Sequence, residues 1–181
     1  MHTLSFQPAI QYPHLLAIPV QHAVQSWIGT YSANDILVSE IDPKYMGGNE
    51  LCHYYGLSPE NGANCVIVEA VRGNKKEFAA CLIPVCCQRA DLNGVVRKYL
   101  SARRISLAPL QDVLRETQME YGSITVVGLP KHWSILIDPQ IINSEKIVMG
   151  SGLQKSKLLL PGKALLDLPN THILEGICKE F

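Results

Sequence analysis

Apolar residues recur at the spacing of an amphipathic helix in three segments of the chain. The first opens at Pro19, a residue suited to the first turn of a helix. Its apolar stripe consists of Val20, Ala23, Val24, Trp27 and Ile28. The second follows Asp91, a suitable N-cap, and the third is short and opens at Pro109. A further helix is predicted for residues 49–55, closed by Gly56.

Two long apolar runs, residues 65–71 and 78–85, predict a pair of adjacent strands. The segment Arg72-Gly73-Asn74 between them is typical of a hairpin turn, and their near-continuous apolar character predicts burial on both faces. Shorter runs predict strands at residues 36–41, 134–137, 146–149, 157–160 and 172–177, with a turn of helix after Pro161-Gly162.

This order of elements predicts a single mixed α/β domain. The elements follow neither a regular βαβ alternation nor an all-β pattern, so a mixed, mostly antiparallel central sheet covered by helices is expected. The domain is expected to span residues 1–181, with residues 1–34 as an N-terminal arm and the first helix. A chain of 181 residues with 47% hydrophobic side chains can bury a sizeable core.

The overall charge gives no long-range attraction for nucleic acid. Sixteen basic residues balance sixteen acidic ones, so an RNA partner would need a local basic patch, and no DNA partner is expected. The candidates for contact with a tRNA backbone are Arg97, Lys98, Arg103, Arg104, Lys155 and Lys163. The alternative, which a charged helix face favours, is a solvated surface.

The six cysteines show neither paired CxxC spacing nor the density of a small secreted scaffold. Most lie in apolar runs, which predicts buried free thiols and a reducing, cytoplasmic setting. The pair Cys86-Cys87 is interpreted as ordinary packing, with oxidant sensing as the alternative. Cys52-His53 lacks a second ligand pair, so no metal is expected. No apolar run approaches the roughly 18 residues of a membrane span, and no membrane association is expected.

The most informative segment is a glycine-punctuated loop that precedes the predicted strand at residues 134–137. Gly122, Ser123, Thr125 and Gly128 put flexible backbone beside two hydroxyls. Glycines let backbone approach a ligand closely, and exposed amide N–H groups beside hydroxyls can bind an oxyanion or a ribose. The segment therefore predicts a pocket wall, with a purely structural turn as the alternative.

Five segments in order along the chain resemble the YbaK family. They are GANCVIV (62–68), ADLNGVVRKYLSARRISLAP (90–109), the loop at residues 122–128, IVMGSG (147–152) and SKLLLPG (156–162). The family includes the inserted editing domain of bacterial prolyl-tRNA synthetases and freestanding aminoacyl-tRNA deacylases. The resemblance runs from about Asp35 to Asn170 and implies a barrel-like sheet covered by helices.

The resemblance implies hydrolysis of the ester that joins a wrong amino acid to tRNA. A synthetase pocket separates substrates that differ by one methylene by only about 1–3 kcal/mol, so a second hydrolytic site must remove the errors. The implied partner is the aminoacyl-adenosine end of mischarged tRNA, and association with a synthetase is a further expectation. No cofactor is implied, because an activated ester needs mainly positioning, an oxyanion donor and water.

The resemblance also implies two turns that line the site of the aminoacyl-ribose. The loop with Gly122, Ser123, Thr125 and Gly128 matches the family's Gly-Gly-x-Ser/Thr-Pro-x-Gly turn, although Ser123 replaces its second glycine and Val126 its proline. The second small-residue turn of the family is matched by Gly150, Ser151 and Gly152. For each turn the alternative is a purely structural role.

At the position of the family's functional lysine, just ahead of the second strand, this chain has Asn64. Asparagine donates and accepts hydrogen bonds, but it cannot supply the charge that stabilises an oxyanion. Lys157 is a candidate replacement that would reach the site from the opposite wall; the alternative is a structural or solvated lysine. Asn64 and Lys157 are thus the candidate catalytic residues of a trans-acting deacylase. The other interpretation is a non-catalytic member that keeps the pocket for an aminoacyl-nucleoside-like ligand or a protein partner.

Overall fold

Short strands make up much of the chain, as its short apolar runs predict. The computed structural model describes residues 2–179. The strands are β1 Gln7–Pro8, β2 Leu37–Glu40, β3 Ala63–Arg72, β4 Lys75–Pro84, β5 Arg89–Ala90, β6 Arg104–Leu107, β7 Ser134–Ile137, β8 Ile147–Gly150, β9 Ser156–Leu160, β10 Thr171–Ile173 and β11 Cys178–Lys179. The α-helices are α1 Ile18–Gln25, α2 Gly48–Tyr55, α3 Arg97–Tyr99, α4 Leu110–Thr117 and α5 Pro139–Asn143.

The strands form two larger sheets. The first has the order β1-β2-β9-β8 and is antiparallel throughout, and the second has the order β10-β7-β4-β3-β6. In the second sheet β7 runs parallel to both β4 and β10, whereas β3 is antiparallel to both of its neighbours. A bridge between Gly62 and Val148 joins the two sheets. The predicted mixed sheet is therefore confirmed.

The predicted hairpin of β3 and β4 lies at the centre of the second sheet. Gly73 closes its turn with a φ of +58°, a conformation that favours glycine. Along β4, Ala80 and Leu82 face the main core, while Cys81 and Ile83 face a second core. Both faces of the hairpin are thus buried, as the continuous apolar runs predict.

The predicted helix boundaries are set by capping residues. Gly56 ends α2 in the left-handed conformation, and α4 follows directly after Pro109. The Asp91 carboxylate accepts hydrogen bonds from the N–H groups of Gly94 and Val95, at 3.1 and 3.3 Å. The helix that Asp91 caps begins as a π-helical turn, Leu92–Val96, and continues as α3.

The N-terminal segment packs on the first sheet and departs from the prediction at one end. In α1, Val20 and Val24 are completely buried in the main core. The helix ends at Gln25, so the predicted stripe stops there, and the Ile28 side chain is 87% exposed. Trp27 remains partly buried because its indole N–H donates to the Asp167 carboxylate at 3.3 Å.

The cysteine prediction is wrong for two of the six residues, because Cys87 and Cys178 form a disulfide across 91 positions of the chain. Cys52, Cys65, Cys81 and Cys86 are free. The disulfide holds β11 beside β5, and Cys86 and Cys87 lie in a turn after β4 rather than in a strand. The expectation of a reducing setting rested on free thiols, and the disulfide removes that support. A cytoplasmic location stays a prediction.

The last predicted strand, residues 172–177, is also corrected. Strand β10 ends at Ile173, and the chain then turns through Gly176, whose φ is +73°. Two residues later the chain resumes as β11 on a different sheet. A turn at a glycine with positive φ separates β10 from β11. The run of apolar residues alone could not show where the first strand ends.

Among the helices of the described residues, none is both long and apolar enough to cross a membrane. No three metal-binding side chains of these residues gather into a possible ligand set. The six basic residues considered for tRNA contact are all exposed. Their predicted role stays a prediction.

Candidate functional site

A cavity of about 460 Å³ opens where the ends of the two larger sheets meet. Four candidate residues that are far apart in the sequence line it together. Asn64 comes from the start of β3, Gly122 from the glycine loop, Gly150 from the end of β8 and Lys157 from β9. The fold thus brings the two candidate catalytic residues and one glycine of each turn to a single site.

The two glycine turns are packed against each other. A Cβ at Gly150 would lie 2.6 Å from the carbonyl oxygen of Ser123 and 2.7 Å from that of Ile124, so this position accepts glycine alone without a backbone shift. The N–H of Gly152 donates to the same Ser123 oxygen at 2.9 Å, and its carbonyl accepts from the N–H of Glu120 at 2.8 Å. The wall of the cavity is therefore a rigid, backbone-built surface.

Several predicted binding residues support this wall from behind instead of lining the cavity. Thr125 is completely buried, and its hydroxyl accepts from the N–H of Val127 at 3.5 Å. The Ser151 hydroxyl is 2.7 Å from the Ser156 hydroxyl and donates within its own turn. These hydroxyls are engaged by neighbouring protein atoms and do not line the cavity, and their predicted contact with the ligand stays a prediction.

Gly128 and Gly152 likewise have packing roles. Gly128, with a φ of +88°, lines a separate cavity, and a Cβ there would lie 2.6 Å from the Pro19 carbonyl oxygen. Gly152, with a φ of +85°, packs against Ala17, where a Cβ would clash. Both glycines thus allow close packing on the N-terminal segment, and neither lines the cavity that holds Lys157.

Ser123 and Gly122 occupy the loop at the cavity. Gly122 has a φ of +74° and lines the cavity directly. Ser123 is buried, and its hydroxyl has no hydrogen-bond partner among the residues that the structure describes. Their role in substrate binding stays a prediction.

Asn64 lies exposed at one side of the cavity, beside the first residue of α2. Its Oδ1 is 2.7 Å from the position that a Cβ of Gly48 would occupy. Glycine at position 48 therefore leaves room for the Asn64 amide. That amide can donate and accept hydrogen bonds but carries no charge.

Lys157 supplies a cation on the wall formed by the first sheet. It lies directly opposite Gly150 in the β8–β9 ladder, where the missing side chain leaves space for the lysine stem. Only 5% of Lys157 is exposed, and its ammonium has neither a carboxylate nor another hydrogen-bond acceptor within the described chain. Burial of an unpaired charge is costly, and proteins retain it chiefly where it has a function.

Burial lowers the pKa of Lys157 from 10.5 to about 8, and the nearby Cys52 opposes this effect weakly. A group with a pKa of 8 is roughly nine-tenths protonated at pH 7, so the ammonium form dominates. The cavity therefore holds a positive charge that no group of residues 2–179 neutralises.

The cysteines near the cavity are not activated nucleophiles. Burial raises the pKa of the Cys65 thiol, which lines the cavity, and that of the neighbouring Cys52 thiol. A thiol reacts as its thiolate, so neither residue is poised for covalent catalysis. The site can hold an ester, place a cation and two backbone turns around it, and admit water.

The rim of the cavity could not be recognised in the sequence. Leu107, Leu110 and Tyr121 line it and are all largely exposed, at 63%, 49% and 59%. An exposed leucine in a sequence is indistinguishable from a surface residue without a role, so only the fold brings these three side chains together.

Comparisons with known proteins bear on the family and the fold. A family model described as the aminoacyl-tRNA editing domain matches residues 43–168. The crystal structure of a proposed trans-editing enzyme for prolyl tRNA synthetase is similar, with a TM-score of 0.72 at 17% identity, covering 92% of this chain and 99% of the other. A hypothetical protein has a TM-score of 0.73 at 18% identity, covering 89% of this chain and 99% of its own.

No curated protein sequence matches the chain. The two structural likenesses are of low sequence identity and show the fold, which is the YbaK-like fold that the sequence motifs imply. The family model covers well over half of the chain, including both glycine turns, Asn64 and Lys157. The chain therefore belongs to the aminoacyl-tRNA editing domain family.

Proposed function

We propose that this protein hydrolyses, in trans, the ester that joins a wrong amino acid to tRNA. The observation that carries the proposal is Lys157, a largely buried lysine whose ammonium has no partner in the described chain and lies at the cavity shared with Asn64, Gly122 and Gly150. An editing-domain fold alone would be compatible with a site that has lost its chemistry. A costly cation at the place where an ester would develop negative charge favours an active one.

The reaction requires little of the protein. Water attacks the carbonyl carbon, the carbonyl oxygen takes up negative charge, the bond to the ribose oxygen breaks, and that oxygen takes a proton. The Lys157 ammonium stabilises the oxygen as its charge develops, and a single well-placed donor of this kind is worth about 3–4 kcal/mol. The cation comes from β9, whereas the family places its lysine at position 64.

Asn64 positions the ester or the attacking water from the other side of the cavity. Its amide offers both a donor and an acceptor, which suits a water molecule that must be held and oriented. Gly122 and Gly150 let backbone approach the ribose closely because neither carries a side chain.

The test is deacylation of a panel of mischarged tRNAs by wild type, Lys157→Ala and Lys75→Ala. Lys75 is an exposed lysine at the turn end of the β3–β4 hairpin that does not line the cavity, and it provides the matched control. We expect Lys157→Ala to lower kcat at least about 100-fold on every susceptible tRNA, and Lys75→Ala to stay near wild type. An unchanged rate for Lys157→Ala would refute the role of Lys157.

The second candidate function is a non-catalytic module that binds an aminoacyl-nucleoside-like ligand. The residue that favours it is Asn64, an uncharged amide where the family has its functional lysine. The variant Asn64→Lys separates the two. Inactive wild type combined with active Asn64→Lys would indicate a degenerate site, whereas an active wild type supports the deacylase.

A further inference from the structure

The edge of β3 that faces the cavity is only partly covered by its neighbour. Strand β6 pairs with positions 68–71 of β3 and goes no further. The chain then reaches Pro109, which has no N–H to donate, and turns into α4. On this side, positions 64–66 of β3 have no strand partner within residues 2–179.

The alternation of the strand determines which backbone groups face the open side. The carbonyl oxygens of Ile67 and Val71 accept hydrogen bonds from Ala108 and Arg103 on the β6 side, at 3.0 and 2.8 Å. Residues two apart in a strand direct their N–H and C=O groups to the same side. The N–H and C=O of Cys65 therefore point toward the β6 side as well, where β6 has already ended.

The opposite strand agrees with this assignment. Cys65 lies opposite Leu82 in the β3–β4 ladder, and the Leu82 carbonyl accepts from the N–H of Asp138, on the far side of β4. Leu82 and Cys65 thus do not pair with each other through their backbone groups. Cys65 lines the cavity, and neither of its backbone groups has a partner in the described chain.

We propose that the aminoacyl group of the substrate pairs with Cys65 as one residue of an antiparallel ladder would. Two opposed residues of such a ladder exchange both N–H···O=C bonds. The Cys65 N–H donates to the ester carbonyl oxygen, and the Cys65 C=O accepts from the α-ammonium group. This inference rests on the proposed deacylase function and names the backbone groups that hold its substrate.

The pairing supplies two groups that the reaction needs, a donor to the charged carbonyl oxygen and an acceptor for the α-ammonium. When water adds to the carbonyl carbon, the charge on the carbonyl oxygen is held by the Cys65 N–H together with the Lys157 ammonium. When the bond to the ribose oxygen breaks, that oxygen takes the proton that the attacking water gives up, and the amino acid leaves with a free carboxylate. The α-ammonium also needs an acceptor, because Lys157 is the one charged side chain that lines the cavity in the described chain.

Cys65→Ala and Cys65→lactic acid, the latter introduced by nonsense suppression, form a matched pair that tests the inference. They differ in the N–H, which the second replaces with an ester oxygen, and in the Asn64 carbonyl, which becomes a weaker acceptor as part of an ester. The positive control for a lost ladder bond is the replacement of Val66 by its own α-hydroxy analogue, 2-hydroxy-3-methylbutanoic acid, since the alternation directs the Val66 N–H toward β4. Because the Cys65 N–H bonds to no group of the described chain, we expect the ester at position 65 to lower the urea midpoint less than the ester at position 66 does.

Two measurements separate this inference from the proposed function. The first is the affinity for a non-hydrolysable 3′-aminoacylamino-3′-deoxyadenosine, and the second is kcat on mischarged tRNA. We expect Cys65→lactic acid to bind the analogue about tenfold more weakly than Cys65→Ala, and to lower kcat about 100-fold. An analogue without the α-amino group should bind wild type about tenfold more weakly.

Equal affinity and equal kcat for the two position-65 variants would overturn the pairing while leaving an active deacylase in place. Absence of analogue binding by wild type would overturn it as well. If wild type binds the analogue in the expected pattern but deacylates no tRNA, the pairing stands and the proposed function fails.

Discussion

Replacement of Lys157 by methionine should stabilise the fold while it slows deacylation at least about 100-fold. Methionine keeps an unbranched apolar stem of nearly the same length as lysine and removes the buried charge. Replacing a residue that holds a fold together lowers the stability of the protein. Replacing a residue that is kept for chemistry at a cost in stability raises it. The variant therefore distinguishes a catalytic lysine from a structural one.

The magnitude follows from the pKa of Lys157, which burial lowers from 10.5 to about 8. Below pH 8 both the folded and the unfolded chain carry this proton, so the folded state bears the full cost of the buried charge. A pKa lowered by this amount corresponds to about 3 kcal/mol. Between about pH 8 and pH 10.5 the folded state releases the proton first, and the cost disappears.

The assay is urea unfolding of wild type and Lys157→Met from pH 7 to pH 10.5. We expect the variant to be more stable by about 3 kcal/mol at pH 7, with the difference closing toward pH 10.5. Lys155→Met, at an exposed position, should change stability by less than about 0.5 kcal/mol at every pH.

A destabilised Lys157→Met protein at pH 7 would refute the reasoning, because it would mean that the ammonium makes stabilising contacts. A difference that does not change with pH would refute the lowered pKa.

Three further predictions follow from the same geometry. The ratio of kcat/KM of wild type to that of Lys157→Met should fall as the pH rises through about 8, because the ammonium of the free protein is lost there; a flat ratio would contradict a cationic role. Gly150→Ala should lower the free energy of unfolding in urea by about 1–3 kcal/mol and impair deacylation, because its Cβ would meet the Ser123 carbonyl oxygen. Gly73→Asn, at a position in open space, should lower the free energy of unfolding less. Reduction of the Cys87–Cys178 disulfide should lower stability by about 2–4 kcal/mol, and Cys86→Ser, at the free neighbour, should leave stability unchanged.

The central hairpin, helix α4 and the two glycine turns could be predicted from the sequence. The hairpin of β3 and β4 follows from two apolar runs around Gly73, and α4 from Pro109 and the pattern after it. The two glycine turns were located through family motifs, and the structure confirms that they meet, because the carbonyl of Ser123 lies against Gly150. Each of these features depends on residues that are close in sequence or on an ordered set of motifs.

The features that the sequence did not show depend on contacts between distant segments. The Cys87–Cys178 pair is separated by 91 positions, and nothing near either residue identifies its partner. The hydroxyl of Ser151 resembles a ligand-binding group until the fold places the Ser156 hydroxyl beside it, and Ser156 is itself held by a hydrogen bond to the Leu15 carbonyl, 141 positions away. The open edge at Cys65 exists because β6 stops early, and the length of a neighbouring strand is a property of the assembled sheet.

Hydrolysis that depends on Lys157 is tested most directly by release of the amino acid from mischarged tRNA under single-turnover conditions, by wild type and by Lys157→Ala. We expect wild type to release the amino acid well above the spontaneous rate on at least one mischarged tRNA, and Lys157→Ala to release it at least about 100-fold more slowly. Release by wild type at the spontaneous rate on every tRNA would rule out the deacylase, and equal release by the two proteins would rule out the role of Lys157.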